Sequence, residues 1–435
     1  MKQARYRYNQ GGVAEVDRGT ATPTSPLGRS RSWRTTILVL AVVSSIAVSI
    51  GYLPQPLLVQ IADDFASGAG AVGWVATAAQ LGTACGILFL VPLADVVRPR
   101  RQIEVQLCLG GVTLLGAAAA PGIAALCLAV FIAGLMANVA QLIMPLAVRT
   151  APDGQQARTT GVLAGSLLFG IFGGRVLAGV IGAHLGWRSV FVTTAMILFG
   201  SIVLLRIVVS SDVRAPAGSS YLALLRSLPR VAQSDRAITE SSLIQAFSFA
   251  AFDGLWTVLA LYLTGSPVKW TAESAGLIGV VGLVAGCVTT LTGRVLARFG
   301  PRRTLAVSIA LTLASATTIV ITSAVPVVVV LAMFLLTVGN QVSQVANQSR
   351  ALSGAGSSAG RANTVYMFGA FVGGSAGAAI GSISFDWFGI VGAALFASTS
   401  LSCAGLIWTV SCWRARRSRA STPATRDLDP ATCTH

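Results

Sequence analysis

Long apolar runs alternate with short polar breaks along nearly the whole chain. A helix that crosses a bilayer needs about 20 apolar residues. Read with that ruler, the first half divides into segments at 36–58, 71–94, 102–121, 124–147, 160–183 and 188–209. The second half divides at 240–264, 274–295, 304–323, 325–348, 362–384 and 389–412. Short turns separate the third segment from the fourth and the ninth from the tenth. The polar remainder is a tail over 1–35, a basic central stretch over 210–239 and a tail over 413–435. The expected fold is an all-α membrane protein with twelve transmembrane helices. Two six-helix bundles, 36–209 and 240–412, flank the central loop.

The two halves repeat. A shift of 203 residues lays Leu128-Ala129-Val130-Phe131 on Leu331-Ala332-Met333-Phe334. The same shift lays Gln141 on Gln344, Arg158 on Arg361, Gly170 on Gly373 and Gly174 on Gly377. Six helices followed by six in parallel duplicate is a transporter architecture, with the site near the midplane between the halves.

Composition supports the membrane assignment. Of 435 residues, 54% are hydrophobic and 11% charged, with mean hydropathy +0.74, whereas soluble domains carry about 25% charged residues. In a soluble chain the net charge of +16 would suggest nucleic acid. Its placement argues otherwise. With the N-terminus inside, all but Arg175, Arg188 and Lys269 of the 31 lysines and arginines fall in tails, loops or helix ends on the cytoplasmic side. The positive-inside rule then puts both termini in the cytoplasm. No nucleic-acid partner is expected, and the basic tail 1–35 is too long for a cleaved leader. Seven cysteines without a CxxC pair indicate neither a disulfide framework nor a metal site. Gly68-Ala69-Gly70-Ala71-Val72-Gly73 matches a dinucleotide fingerprint, but no strand precedes it and a helix follows, so no nucleotide is expected there. Lys2 and Lys269 are the only lysines and neither follows a glycine, so there is no phosphate-binding loop. Energy must come from a gradient or another subunit, and no cofactor is implied.

One stretch combines small residues with a charge. Gly161, Gly170, Gly174, Arg175, Ala178 and Gly179 punctuate the fifth segment. Small residues let membrane helices approach closely, and a charge inside the bilayer marks a candidate functional position. The spacing resembles the fifth-helix antiporter motif of the major facilitator superfamily, with Arg175 in place of its proline and Ala178 in place of one glycine. Leu93-Ala94-Asp95 with Arg98, Arg100 and Arg101 resembles the loop signature of that superfamily. Val91 and Val96 depart from it. Gly293, Arg298, Gly300, Arg302 and Arg303 form a second copy, with Ala297 at the aspartate position. Asp95 would act as a cytoplasmic latch against arginines such as Arg98, Arg100, Arg101, Arg298 and Arg302. The alternative is that these charges only set topology. Tyr52 to Leu58, Ala76 to Asp95, Gly186-Trp187-Arg188 and Arg361 to Met367 are similar to the twelve-helix drug and metabolite efflux permeases of bacteria. The resemblance covers about 36–412. It departs in the fourth helix, where Val130 occupies the position of an arginine in proton antiporters.

Asp253 lies in mid-helix seven. The resemblance implies that the first, fourth, seventh and tenth helices line the cavity. A desolvated carboxyl there can bind and release a proton or pair with a cation. The alternative is a structural hydrogen-bonded acid. Phe249, Asp253 and Trp256 share a helix face by spacing. Arg175 keeps its proton and can only tune a neighbouring acid, hold an anion or bond backbone carbonyls. Asn138, Gln141, Asn340, Gln341, Gln344 and Asn347 offer amides for a polar substrate, or glue between helices. Pro54 and Pro56 should end the first helix near Tyr52 and Gln55, as an outer gate. Asp63 and Asp64 read as solvated loop residues, and His184 as incidental.

The expectation is a monomeric secondary transporter in the bacterial inner membrane, not an enzyme. It would exchange protons for drugs or small organic compounds by alternating access, with the fifth and eleventh helices sliding at the interface. The rivals are a carrier of a sugar or other metabolite and, more remotely, a non-transporting receptor.

Overall fold

Proline and glycine decide where the crossings bend and stop. A computed structural model describes residues 33–209, 220–265, 268–271, 278–289 and 291–420. The tails before 33 and after 420, the first ten residues of the 210–239 loop and the start of the eighth helix lie outside the described residues. The first crossing runs over Trp33–Ser49 and breaks at Ile50 to Pro54. A 3₁₀ turn, Gln55–Leu57, and a short helix, Leu58–Asp64, follow. The second, Ala69–Phe89, and third, Pro99–Ala118, are continuous. The fourth is Ile123–Met136 joined to Val139–Thr150. The fifth, Gln156–Leu168 and Gly174–Leu185, is interrupted by a π-helical turn at Phe169–Gly173. The sixth is Trp187–Val208.

Arg236–Thr264 is the seventh crossing, started by Asp235, whose Oδ1 accepts from the Ala237 N–H at 2.8 Å. Gly279–Thr289 belongs to the eighth. Thr292–Thr322 turns at Gly300, φ 75°, just before Pro301, and so passes from the eighth crossing into the ninth. Pro326–Leu352 is the tenth. Ala359–Ala420 holds the eleventh and twelfth, separated by a turn at Gly389, φ 59°. Among the described residues eight helices are long and apolar enough to cross a membrane, and one of these, Ala359–Arg417, carries two crossings. The central stretch also contains Tyr221–Ser234, an amphipathic helix where a plain polar loop was expected.

Glycines pack helices within each half. A Cβ on Gly170 would meet the Ser45 carbonyl, and one on Gly174 the Ser49 side chain. Their repeat-related counterparts, Gly373 and Gly377, lie against the carbonyls of Ala246 and Ala250. Helix five therefore packs on helix one as helix eleven packs on helix seven. Helices five and eleven both reach the boundary between the halves, but Gly170 and Gly174 face their own bundle. Gly161 has open space around it and Gly179 is buried. The small residues between the halves are elsewhere: Gly279 and Gly282 lie against Phe172 and Val176, and Gly70 and Gly73 against Asp386 and Ser382.

The latch residues also depart from expectation. Asp95 is exposed and, among the described residues, forms no salt bridge; Arg98, Arg101, Arg298 and Arg302 are exposed. Glu104 instead accepts from Arg100 at 2.9 Å and Arg206 at 3.3 Å, tying helix three to helix six. Arg350, Glu240 and Ser411 join helices ten, seven and twelve. Both clusters stay within one half.

Candidate functional site

The seventh helix is the most enclosed crossing, with 83% of its apolar window buried, against 33–56% for the other long crossings. Gly254 lets it approach the backbone of Gly377 on helix eleven. Asp253 is fully buried on it. Its Oδ1 accepts from Gln55 Nε2 at 2.8 Å and from Gln80 Nε2 at 3.4 Å, both from the other half. Thr257 Oγ1 accepts from the same Gln55 nitrogen at 3.3 Å and donates to the Asp253 carbonyl at 2.7 Å.

Gln55 sits here because the first crossing breaks. Pro54 precedes its 3₁₀ turn and Pro56 lies within it, and the Gln55 side chain is buried, 2% exposed. The other end of its amide, Oε1, accepts from Arg175 Nε at 2.8 Å. One amide therefore joins Arg175 to Asp253, which do not bond directly. The orientation of that amide is dictated, because guanidinium only donates and carboxylate only accepts.

Arg175 follows the π-helical turn of helix five, a distortion that often re-aims side chains at functional positions. It is 2% exposed. Three aromatic rings surround its guanidinium carbon, with centroids at 4.6 Å for Tyr52, 4.8 Å for Trp256 and 5.2 Å for Phe172. Such faces attract a cation, more strongly when water is excluded. Trp256 is held in turn by Thr337, to whose Oγ1 its Nε1 donates at 3.1 Å. Arg175 Nη2 and Asp253 Oδ2 are buried without a hydrogen-bond partner among the described residues. Gln55, Arg175, Trp256, Leu259 and Gly279 line a cavity of about 20 Å³, room for about one water.

The other candidates separate into groups. Phe249 stacks on Phe252 at 5.6 Å and meets Phe371 edge-on at 5.3 Å, inside the second half. Asn138 donates to the carbonyls of Leu135 and Thr83, at 3.2 and 3.4 Å, and ties helix four to helix two. Asn340 and Asn347 bond Gln245 within the second half. Gln341 is buried, and the repeat-related Gln141 and Gln344 are half-buried. None of these three amides bonds Asp253. Gln80 escaped the sequence reading. Its signal was an amide inside an apolar helix, the same signal that marked Asn138.

A twelve-helix membrane bundle with charged and amide groups buried between two repeated halves defines a carrier rather than an enzyme. The sequence profile of the Major Facilitator Superfamily matches residues 37–378. The chain belongs to that superfamily and is a multi-pass membrane transporter. It is 32% identical over 405 residues to a probable transporter of Streptomyces coelicolor, SCO4007, covering 92% of this chain and 93% of that one. It is 33% identical over 245 residues to the putative uncharacterized transporter YgaY of Escherichia coli K12, covering 56% and 61%. Among solved structures, the nucleoside transporter NupG superposes with TM-score 0.67 at 13% identity, covering 86% and 98%. The xylose transporter XylE of E. coli gives 0.64 at 15%, covering 88% and 98%. These structural similarities establish the fold.

Proposed function

We propose that this carrier exports small organic compounds, drugs among them, across the bacterial inner membrane in exchange for protons, with Asp253 as the proton-bearing group. The observation that carries the reading is the Arg175–Gln55–Asp253 chain. It places a carboxylate of one half under two amides of the other, with an arginine one amide away. Buried charge in a membrane interface is costly, and that expense favours a functional role for the pair.

The cytoplasm lies at the end carrying the chain termini, by the distribution of arginines. Closure at the far end presses Gln55 and Gln80 against ionised Asp253. Parting of the halves at that end takes both donors away and opens Asp253 to the outside. There it takes up a proton as substrate leaves. Closure restores the amides, the proton departs inward, and substrate binds from the cytoplasm. Gln55 stays with Arg175 throughout, since both belong to the first half. Asp95 and its neighbouring arginines would form the cytoplasmic latch in the opposite arrangement, since in this one Asp95 has no salt bridge among the described residues.

A second reading is transport of a sugar or other metabolite. The half-buried Gln141 and Gln344 favour it, because amides suit hydroxyl-rich ligands.

The test uses cells making this chain, incubated with ethidium, neutral antibiotics, labelled sugars and nucleosides, with and without a protonophore. Depletion of one compound that the protonophore reverses, and that Asp253→Asn abolishes in a normally inserted protein, is the expected result. Gradient-independent movement of a sugar or nucleoside would replace the reading with the second one. Full activity of Asp253→Asn would remove Asp253 from coupling.

A further inference from the structure

The glycines at Gly68, Gly70 and Gly73 match a nucleotide fingerprint with no nucleotide fold around it, yet they do border an anion. Gly68 precedes the second helix in extended conformation, φ −73°, ψ 168°. The Gly70 N–H, in the first turn, donates to Asp386 Oδ2 at 2.6 Å. Asp386 belongs to helix eleven, in the other half. A Cβ on Gly70 would strike that carboxylate, and one on Gly68 would touch both of its oxygens at 3.6 Å. One turn on, Gly73 leaves room for Ser382, whose hydroxyl and Cβ a side chain would hit. A further turn on, Ser375 Oγ donates to the Thr77 carbonyl at 3.1 Å. Ala378 is fully buried between these contacts and is part of the first half's core.

A helix start presents unpaired N–H groups and partial positive charge, so a carboxylate there is stabilised. Here the carboxylate comes from the opposite half. Its stabilisation therefore exists only while the halves are closed at this end. We propose that Asp386 is a positioning residue of the transport cycle, a clamp that holds the far end shut by capping the second helix across the interface. Gly70 is bare so that the carboxylate can reach the backbone. The inference holds whatever the substrate is and whether or not Asp253 carries a proton.

The experiment measures opening directly. The full chain, its seven native cysteines changed to serine, is placed in lipid nanodiscs so that a small maleimide reaches both faces. Ala378→Cys reports the interface. Ala195→Cys, fully buried in the core of the first half, reports loss of fold. Removing a charge-assisted hydrogen bond with Asp386→Ala should raise labelling at Ala378→Cys about tenfold. Asp386→Asn, which keeps an oxygen acceptor without the charge, should give a smaller rise. Gly70→Ala should also raise it, but should add nothing in the Asp386→Ala background. Labelling at the parent rate in Asp386→Ala would overturn the clamp. So would multiplying effects of the two substitutions, or an equal rise at Ala195→Cys.

Discussion

Gln55 donates to Asp253 across the boundary between the two halves at 2.8 Å, and its amide oxygen receives Arg175 at the same distance. A single neutral side chain thus stands between two buried charges and satisfies one valence of each. Leucine at this position would have similar bulk but would leave both charges with unmet hydrogen-bonding groups. Uncompensated buried charge costs about 3–5 kcal/mol. Gln55→Leu should therefore lower the Tm of the purified protein and abolish gradient-driven transport. Gln55→Glu should bond Arg175 but set a second carboxylate against Asp253. It should keep more stability than Gln55→Leu while failing to couple. Equal Tm and equal transport in Gln55→Leu and the parent would remove the bridge from both fold and mechanism.

The arginine and the aspartate should depend on each other although they do not touch. Arg175→Gln alone removes the charge that faces Asp253 through the amide. Asp253→Asn alone leaves Arg175 without a nearby anion. Removing both takes the charges away together, so the double variant should be less destabilised than the sum of the singles, by about 1–3 kcal/mol. A double-mutant cycle on Tm or denaturant midpoint measures that coupling. Additive losses would mean that the two charges are independent.

Twelve segments, the repeat and the burial of Arg175 and Asp253 inside the bundle were legible because bilayer thickness and the expense of buried charge leave strong marks in sequence. The bridge was harder to read. Pro54 and Pro56 announce a broken helix near Gln55, but no periodicity tells toward which helix a residue in a 3₁₀ turn will point. Gln80 was hidden because an amide in an apolar helix can serve any neighbour. The packing partners of Gly170 and Gly174 were not legible for a related reason. Small residues predict close approach, and say nothing about whether the partner is a helix of the same half or of the other. Asp386 was missed because an exposed acid at a helix end reads as solvated until the facing helix start is known.

A second tie can be tested by pH. Asp64, after the first crossing, pairs with Arg188 and also accepts from Trp187 Nε1 at 3.2 Å, at the start of helix six. The hydrogen bond from Arg188 leads the effects that hold its carboxyl below the ordinary 3.8. A group with a lowered folded-state value contributes stability that is present above the unfolded value and is lost as pH falls through the folded one. Asp64→Asn should therefore have a lower Tm than the parent at pH 6, and the gap should close below about pH 4. Because the site is exposed and salt-screened, the gap should also shrink at 1 M salt. A gap unchanged at acid pH would show that the pair contributes nothing through charge.

Two sets of glycines should fail in different ways when enlarged. Gly170 and Gly174 lie on the backbone and side chains of Ser45 and Ser49 within the first half. Leucine at either position must push helix five off helix one, so the first half itself should be disrupted. Gly174→Leu is expected to give a poorly inserted or aggregated protein, seen as loss of the monodisperse peak and a fall in Tm. Gly282 instead faces the ring of Phe172 across the boundary. Gly282→Leu should leave each half folded, because the nearest atoms that a side chain there would meet belong to Phe172 of the other half. It should hold the halves apart at the far end and stop transport, with labelling at Ala378→Cys raised and a normal monodisperse peak. The pair of outcomes distinguishes glycines that build a bundle from glycines that let two bundles meet. A well-folded, transport-dead Gly174→Leu with an open far end would return the antiporter-like glycines to the moving interface.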